Sequence, residues 1–189
     1  AVPGCEGGGR VERVTTKSGR RLDCDRGVVA VGIEPNVELL EGTPVATDNG
    51  VLVGSSLETS VPGIYSAGDV ANHLHPVFGR IRVEHYNNTE KQPAAAARAM
   101  LGKGGAYDYI HTFWSDQYQD KLEYVGHAKE WDEIVFRGAV PRRTFVGFYR
   151  ARGKMLAAGG RTRRGRPDTA PTQAAAQAGE PTAAKGPLS

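Results

Sequence analysis

Cysteine is scarce in this 189-residue chain: Cys5 and Cys24 lie far apart and in no Cys-x-x-Cys spacing. Two such residues read as free thiols, which argues against a dithiol redox pair or a metal site within this stretch. No apolar run approaches the length of a membrane span or a signal peptide, so the expectation is a cytoplasmic protein with no membrane partner. A strong charge of one sign is also missing. The net +3 is carried by residues 159–189, where five basic residues (Arg161, Arg163, Arg164, Arg166, Lys185) face two acidic ones (Asp168, Glu180). The remainder balances to zero, which gives no electrostatic footprint for nucleic acid. Large apolar residues nearly vanish after Leu156, and a segment of Ala, Gly, Pro and Thr cannot offset the entropy of ordering it. Residues 159–189 are therefore expected to form a disordered tail. A phosphate-cradling glycine loop is absent too. Gly7-Gly8-Gly9 has neither the apolar strand before it nor the helical pattern after it that such a loop needs, and it reads as a plain loop.

What is present is concentrated in Thr59 to Asp69, TSVPGIYSAGD. Pro62-Gly63 marks a turn, Ile64-Tyr65-Ser66 a short buried strand, and Ala67-Gly68 strip away side-chain bulk so that a ligand can approach the backbone. Asp69 is then left to accept a hydrogen bond from a ligand hydroxyl, with backbone amides beside it able to face a phosphate. A structural loop would produce the same short pattern by chance, so this stretch alone does not decide.

Three further stretches follow the same order as a known family. VVAVGIEPN (Val28 to Asn36), RVEHYNNTEKQ (Arg82 to Gln92) and FWSDQYQDKLEYVGH (Phe113 to His127), together with TSVPGIYSAGD, resemble successive segments of the FAD-dependent pyridine nucleotide-disulfide oxidoreductases. Within that superfamily the helix start EHY and the later FWS resemble the ferredoxin reductase branch, which includes apoptosis-inducing-factor-like proteins. The resemblance covers roughly Val11 to Ala158. It departs from the family in lacking both of its GxGxxG fingerprints, so the chain is expected to be the C-terminal part of a longer enzyme, truncated in the nicotinamide-binding domain.

On this basis the expected fold is α/β: a partial FAD/NAD(P)-binding Rossmann-like domain followed by an α+β reductase C-terminal domain with an antiparallel sheet. Residues 1–36 would end the NAD(P)-binding domain, with strands in VERVTT and in Gly27 to Val31 around a turn at Lys17-Ser18-Gly19. Residues 37–105 would complete the FAD-binding domain, with short strands at Val51-Leu52-Val53 and Ile64-Tyr65-Ser66 and a helix from about Val83 to Leu101. Pro93 inside that helix predicts a break near Gln92 or a kink. Residues 106–158 read as five successive antiparallel strands in FWSDQY, KLEYVGHAKE, DEIVFRG, TFVGFYR and KMLAA. Sense stops after Ala157-Ala158, which suggests a reading-frame change at that point.

The resemblance implies cofactor-binding roles for Gly68, Asp69, Glu84, His85, Tyr86 and Trp114, and no catalytic acid or base. Asp69 would hold the ribityl chain. His85 and Tyr86 would lie beside the flavin ring, Glu84 near the nicotinamide edge, and Trp114 over the ring. From the residues alone the plainer readings are favoured: Glu84 as an acid at a helix start, Tyr86 as a packing residue and Trp114 as a core tryptophan. The implied activity passes electrons from NAD(P)H through FAD to a ferredoxin-like iron-sulfur protein, with a homodimer allowed and little turnover by this stretch alone. The alternatives are a non-catalytic remnant or interaction domain, or a reductase with a quinone, disulfide or nitrite-reductase acceptor. Arg137, Arg142 and Arg143 are the candidates for meeting an acidic partner.

Overall fold

A computed structural model describes residues 4–163. The chain divides into two units, Ala1–Ile33 and Glu34–Ser189. In the first, β1 (Gly4–Glu6), β2 (Arg13–Thr15) and β3 (Arg21–Asp23) form an antiparallel sheet in that order. The predicted turn after VERVTT is there, with the Gly19 N–H donating to the Thr16 carbonyl at 2.9 Å. The predicted buried strand at Gly27 to Val31 is not. Those residues have no regular structure, and Val28, Val29 and Val31 are 80% or more exposed. A fully buried strand needs a ladder on its edges and cover on its faces. Among the described residues no strand pairs with this run.

The second unit begins with β4 (Val51–Val53), which runs parallel to β5 (Ala71–His75), while β5 pairs antiparallel with β6 (Gly79–Arg82). β4 was legible because its apolar residues are contiguous. β5 was missed because it buries Asn72, His73 and His75 alongside Ala71, a composition that does not read as a core strand. Ile64-Tyr65-Ser66 is not a strand; Tyr65 makes a single antiparallel bridge to Glu58. One helix follows, α1 (Tyr86–Met100), which starts later than predicted because Arg82 is still in β6 and His85 is extended. α1 runs unbroken through Pro93. Val45, Val51, Val53, Leu57, Ala71, Ala96 and Tyr107 close a core between this small sheet and the helix.

The remaining strands match the predicted β-rich segment: β7 (Thr112–Gln117), β8 (Asp120–Gly126), β9 (Glu133–Ala139), β10 (Thr144–Ala151) and β11 (Lys154–Arg163). They form one antiparallel sheet in the order β7-β8-β11-β10-β9. β11 is central, flanked by β8 and β10, and Val146 and Ala158 are buried with Val125, Phe148 and Met155 packed against them. β11 does not stop at Ala158. Its ladder to β8 continues through Arg161, Thr162 and Arg163, so the first residues of the expected tail are strand; residues 164–189 lie outside those described. No helix among the described residues is long and apolar enough to cross a membrane.

Candidate functional site

The Ala-Gly-Asp turn sits immediately before β5, with Gly68 at φ +87°, a left-handed conformation that glycine adopts without strain. A Cβ added there would meet nothing within 4 Å. The Gly68 N–H is turned inward. It donates to Gln92 Oε1 at 2.7 Å, buried against α1. The carboxylate of Asp69 is different: the residue is half-buried, and its Oδ1 is buried without a hydrogen-bond partner among the described residues.

Arg82 ties this turn to the approach to α1. Its Nη1 donates to the Asp69 carbonyl at 3.0 Å, its Nη2 pairs with Glu84 Oε1 at 2.7 Å, and its Nε donates to Asn49 Oδ1 at 3.1 Å. The plainer reading of Glu84 as a helix-start acid does not hold. Glu84 lies instead ahead of the N-cap residue, outside the first turn, and its partner is Arg82. His85 caps α1 without a side-chain hydrogen bond, and no acid occupies the first turn. The start of α1 is therefore left without a side-chain cap, with Glu84 one residue ahead of the N-cap.

A cleft of about 520 Å³ opens at this point, lined by Arg82, Glu84, His85, Tyr86, Phe113, Trp114 and His127 among others. Four of the six predicted residues, Glu84, His85, Tyr86 and Trp114, thus share one cavity, built from the β6-α1 connection and the start of β7. Tyr86 and Trp114 meet edge to face, with ring centroids 6.3 Å apart, and Trp114 is 48% exposed, so it is not the core tryptophan that pattern alone suggested. His85 packs on Phe113 at 4.8 Å. Burial pushes the His85 imidazole below its ordinary value, while the negative charges of Glu84 and Asp69 pull it back up. Asp69 is thereby within electrostatic reach of the cleft although it does not line it.

Arg82, Phe113, His127 and Gln92 are site residues that sequence reasoning assigned no role. For Arg82 a signal existed. Arg82 and Glu84 are two residues apart in an extended segment, so their side chains leave on the same side.

His85 and His127, which line the cleft, belong to a cluster that contains every histidine of the chain, with His73, His75 and His111. His111 packs within 5.6 to 6.4 Å of the rings of His73, His75 and His85. Burial first, and neighbouring imidazoles second, push His111 down to about 3 and His73 down to about 4. These rings are neutral near pH 7. Among the described residues no group of histidine, cysteine or acidic side chains has the arrangement of a metal site.

Residues 2–100 match the pyridine nucleotide-disulphide oxidoreductase family, and residues 112–179 match the reductase C-terminal family. The second match runs beyond Ala158, so neither it nor β11 breaks where sense was expected to stop. The ferredoxin–NAD(+) reductase component of the anthranilate 1,2-dioxygenase system of Burkholderia cepacia is 35% identical over 147 residues, 74% of this chain and 36% of that protein. Among solved structures, the ferredoxin reductase for the CYP199A2 system from Rhodopseudomonas palustris has a TM-score of 0.77 at 36% identity, covering 85% of this chain and 40% of that one. The covalent putidaredoxin reductase–putidaredoxin complex gives a TM-score of 0.82 at 29% identity, over 92% of this chain and 42% of that one. The chain thus spans well under half the length of the proteins it matches. With matches to both families and a relative 35% identical to it over 74% of its length, the chain belongs to the pyridine nucleotide-disulphide oxidoreductase family, in the form that carries a reductase C-terminal domain.

Proposed function

We propose that this chain is the flavin-facing and C-terminal part of an FAD-dependent NAD(P)H oxidoreductase of the ferredoxin reductase type. The observation that carries this is the pairing of a half-buried carboxylate, Asp69, whose Oδ1 is buried without a partner, with a helix start that has no side-chain cap and opens on an aromatic-lined cleft. Those features fit a flavin: a polyhydroxyl chain needs acceptors, and a ring that gathers negative charge needs a positive helix end. When bound, the flavin supplies acceptance of a hydride from nicotinamide and release of single electrons to an acceptor.

The protein's part is to bind, orient and exclude water. Asp69 accepts from a ribityl hydroxyl, and Gly68 leaves the backbone open to close approach. The N–H groups at the start of α1 stabilise negative charge on the ring edge beside His85 and Tyr86, and Trp114 covers a ring face with apolar area. Glu84, held by Arg82, borders the entry of the nicotinamide. No side chain of the cleft needs to take a proton from substrate. The acceptor is a ferredoxin-like iron-sulfur protein, a reading supported by relatives named as ferredoxin reductases and by the putidaredoxin complex. Arg142 and Arg143, exposed between β9 and β10, are the basic side chains offered to an acidic partner; Arg137 lies over the Phe148 ring at 5.6 Å.

The test is the visible spectrum of the purified chain after incubation with FAD, followed by NADH without oxygen. A shifted, retained flavin band that bleaches supports a working site in this chain. Retention without bleaching supports the flavin site and places nicotinamide binding outside these residues. Flavin that washes away with an unshifted spectrum counts against the reading for this chain.

A further inference from the structure

We infer that Arg82 is a positioning residue that fixes the two halves of the flavin-facing surface, the Ala-Gly-Asp turn and the acid ahead of α1, in one register. The inference rests on the flavin reading of the cleft for its purpose, though not for its geometry. Each of the three guanidinium nitrogens has a different partner, and the partners come from three separate segments: Asn49 in the turn before β4, Asp69 before β5, and Glu84 before α1. The side chain is only 10% exposed, so these contacts are made in a setting that strengthens them.

The surroundings are shaped to admit it. Gly50 lies at φ +110°, and a Cβ there would sit 2.3 Å from the Val70 carbonyl oxygen and 3.0 Å from Arg82 Cδ. Glycine at position 50 therefore lets the Arg82 stem and the backbone of the Asp69 turn pass each other. The choice of acceptor on Asp69 also matters. Arg82 takes the main-chain oxygen while carboxylate Oδ1 stays unpartnered. The strap holds the turn without consuming the atom that a ligand hydroxyl would use. On the other side it does bind the Glu84 carboxylate, which sets that charge at the rim of the cleft. A lysine has no rigid fork and cannot hold three partners in these directions at once.

The experiment compares the full chain with its Arg82→Gln, Arg82→Lys and Glu84→Gln variants by amide hydrogen exchange, and by flavin absorbance with FAD as the probe. Arg82→Gln is expected to raise exchange about tenfold or more in residues 68–71 and 84–87, the scale of one lost charge-assisted hydrogen bond, with β10 and β11 within about twofold of the parent. Glu84→Gln should raise exchange in 84–87 alone, and Arg82→Lys should restore 84–87 but not 68–71. If FAD shifts the parent spectrum, its affinity should fall in the same order as protection of 68–71. Unchanged exchange in both segments, a uniform rise that includes β10 and β11, or full recovery with lysine overturns the assignment. If Arg82→Gln does not fold, the other two variants decide. A parent chain that leaves the FAD spectrum unmoved sinks the flavin reading alone, because the exchange pattern still tests Arg82.

Discussion

Gln92 shows at the scale of one residue how the site is held. Its Oε1 accepts from the Gly68 N–H at 2.7 Å and from Asn88 Nδ2 at 3.3 Å, and its Nε2 meets His73 Nδ1 at 3.2 Å. Asn88 continues the network to the Val83 carbonyl and the Tyr107 hydroxyl. Gln92 and Asn88 are fully buried, so removing one member strands the others. Gln92→Leu should therefore lower stability by roughly 2–4 kcal/mol, the cost of two or so unsatisfied buried groups, read as a fall in the urea midpoint. A midpoint shift under about 0.5 kcal/mol would show that the network contributes no more than an ordinary surface residue. Asp69 should behave in the opposite way. Its Oδ1 has no partner, so Asp69→Ala is expected to leave the melting temperature of the ligand-free chain unchanged or raised while weakening FAD retention about tenfold, one charged hydrogen bond's worth. FAD retained equally by the variant and the parent would remove Asp69 from the site. The sequence did show the turn that ends in Asp69, because proline, glycine and small residues leave a local mark. It did not show Gln92's role, since the partners of a buried amide lie 19 and 24 residues away.

At the scale of the element, α1 is the informative case. Its alanine-rich second half made the helix legible, and its start was misplaced by three residues because Val83 is buried and Glu84 suits a helix N-terminus as well as a strand end. β6 decides the matter: Arg82 is paired with Asn72, which keeps the chain extended until His85. Pro93 neither breaks the helix nor moves its end. It has no N–H to give the Thr89 carbonyl, and neighbouring packing of Gln92 and Ala96 into the core holds the helix through that defect. Pro93→Ala restores a donor at an exposed position and should stabilise the chain by about 1–3 kcal/mol, measured by thermal or urea unfolding. Destabilisation on making that change would mean that the proline's restriction of the unfolded chain outweighs the lost hydrogen bond.

At the scale of the whole molecule, the buried histidines set the response to acid. In the unfolded chain an imidazole takes a proton near 6.5, whereas His73 does so only near 4 and His111 near 3 in the fold. Between those values the unfolded state binds more protons, so stability is full above about pH 6.5 and is lost as pH falls from there toward 4 and 3. For His73 the shift from 6.5 to about 4 amounts to on the order of 3 kcal/mol across that window. The charges that face the cluster are Arg80 toward His73, Lys129 toward His127, Glu84 and Asp69 toward His85, and Asp108 toward His75. His111 is depressed by burial and by the neighbouring imidazoles, and its two ring nitrogens are buried without partners. His111→Phe should therefore cost nothing at pH 7.5 and should flatten the fall in urea midpoint between pH 6.5 and 5. Parallel slopes for the two proteins would show that acid lability comes from other groups.

The sequence by itself determined the family, through four stretches that resemble it, and nearly all of the C-terminal strands, through alternation of apolar residues and turn residues at fixed places. Tertiary structure decided what depends on distant partners. It placed β11 between β8 and β10 and carried it to Arg163. It left Gly27 to Val31 without a ladder, gathered five histidines from β5 and three other segments, and gave Arg82 three partners from three separate segments. A run of valines signals burial only if something covers it, and an arginine signals a strap only when its acceptors arrive, because burial and hydrogen bonding are properties of the neighbours that folding assembles.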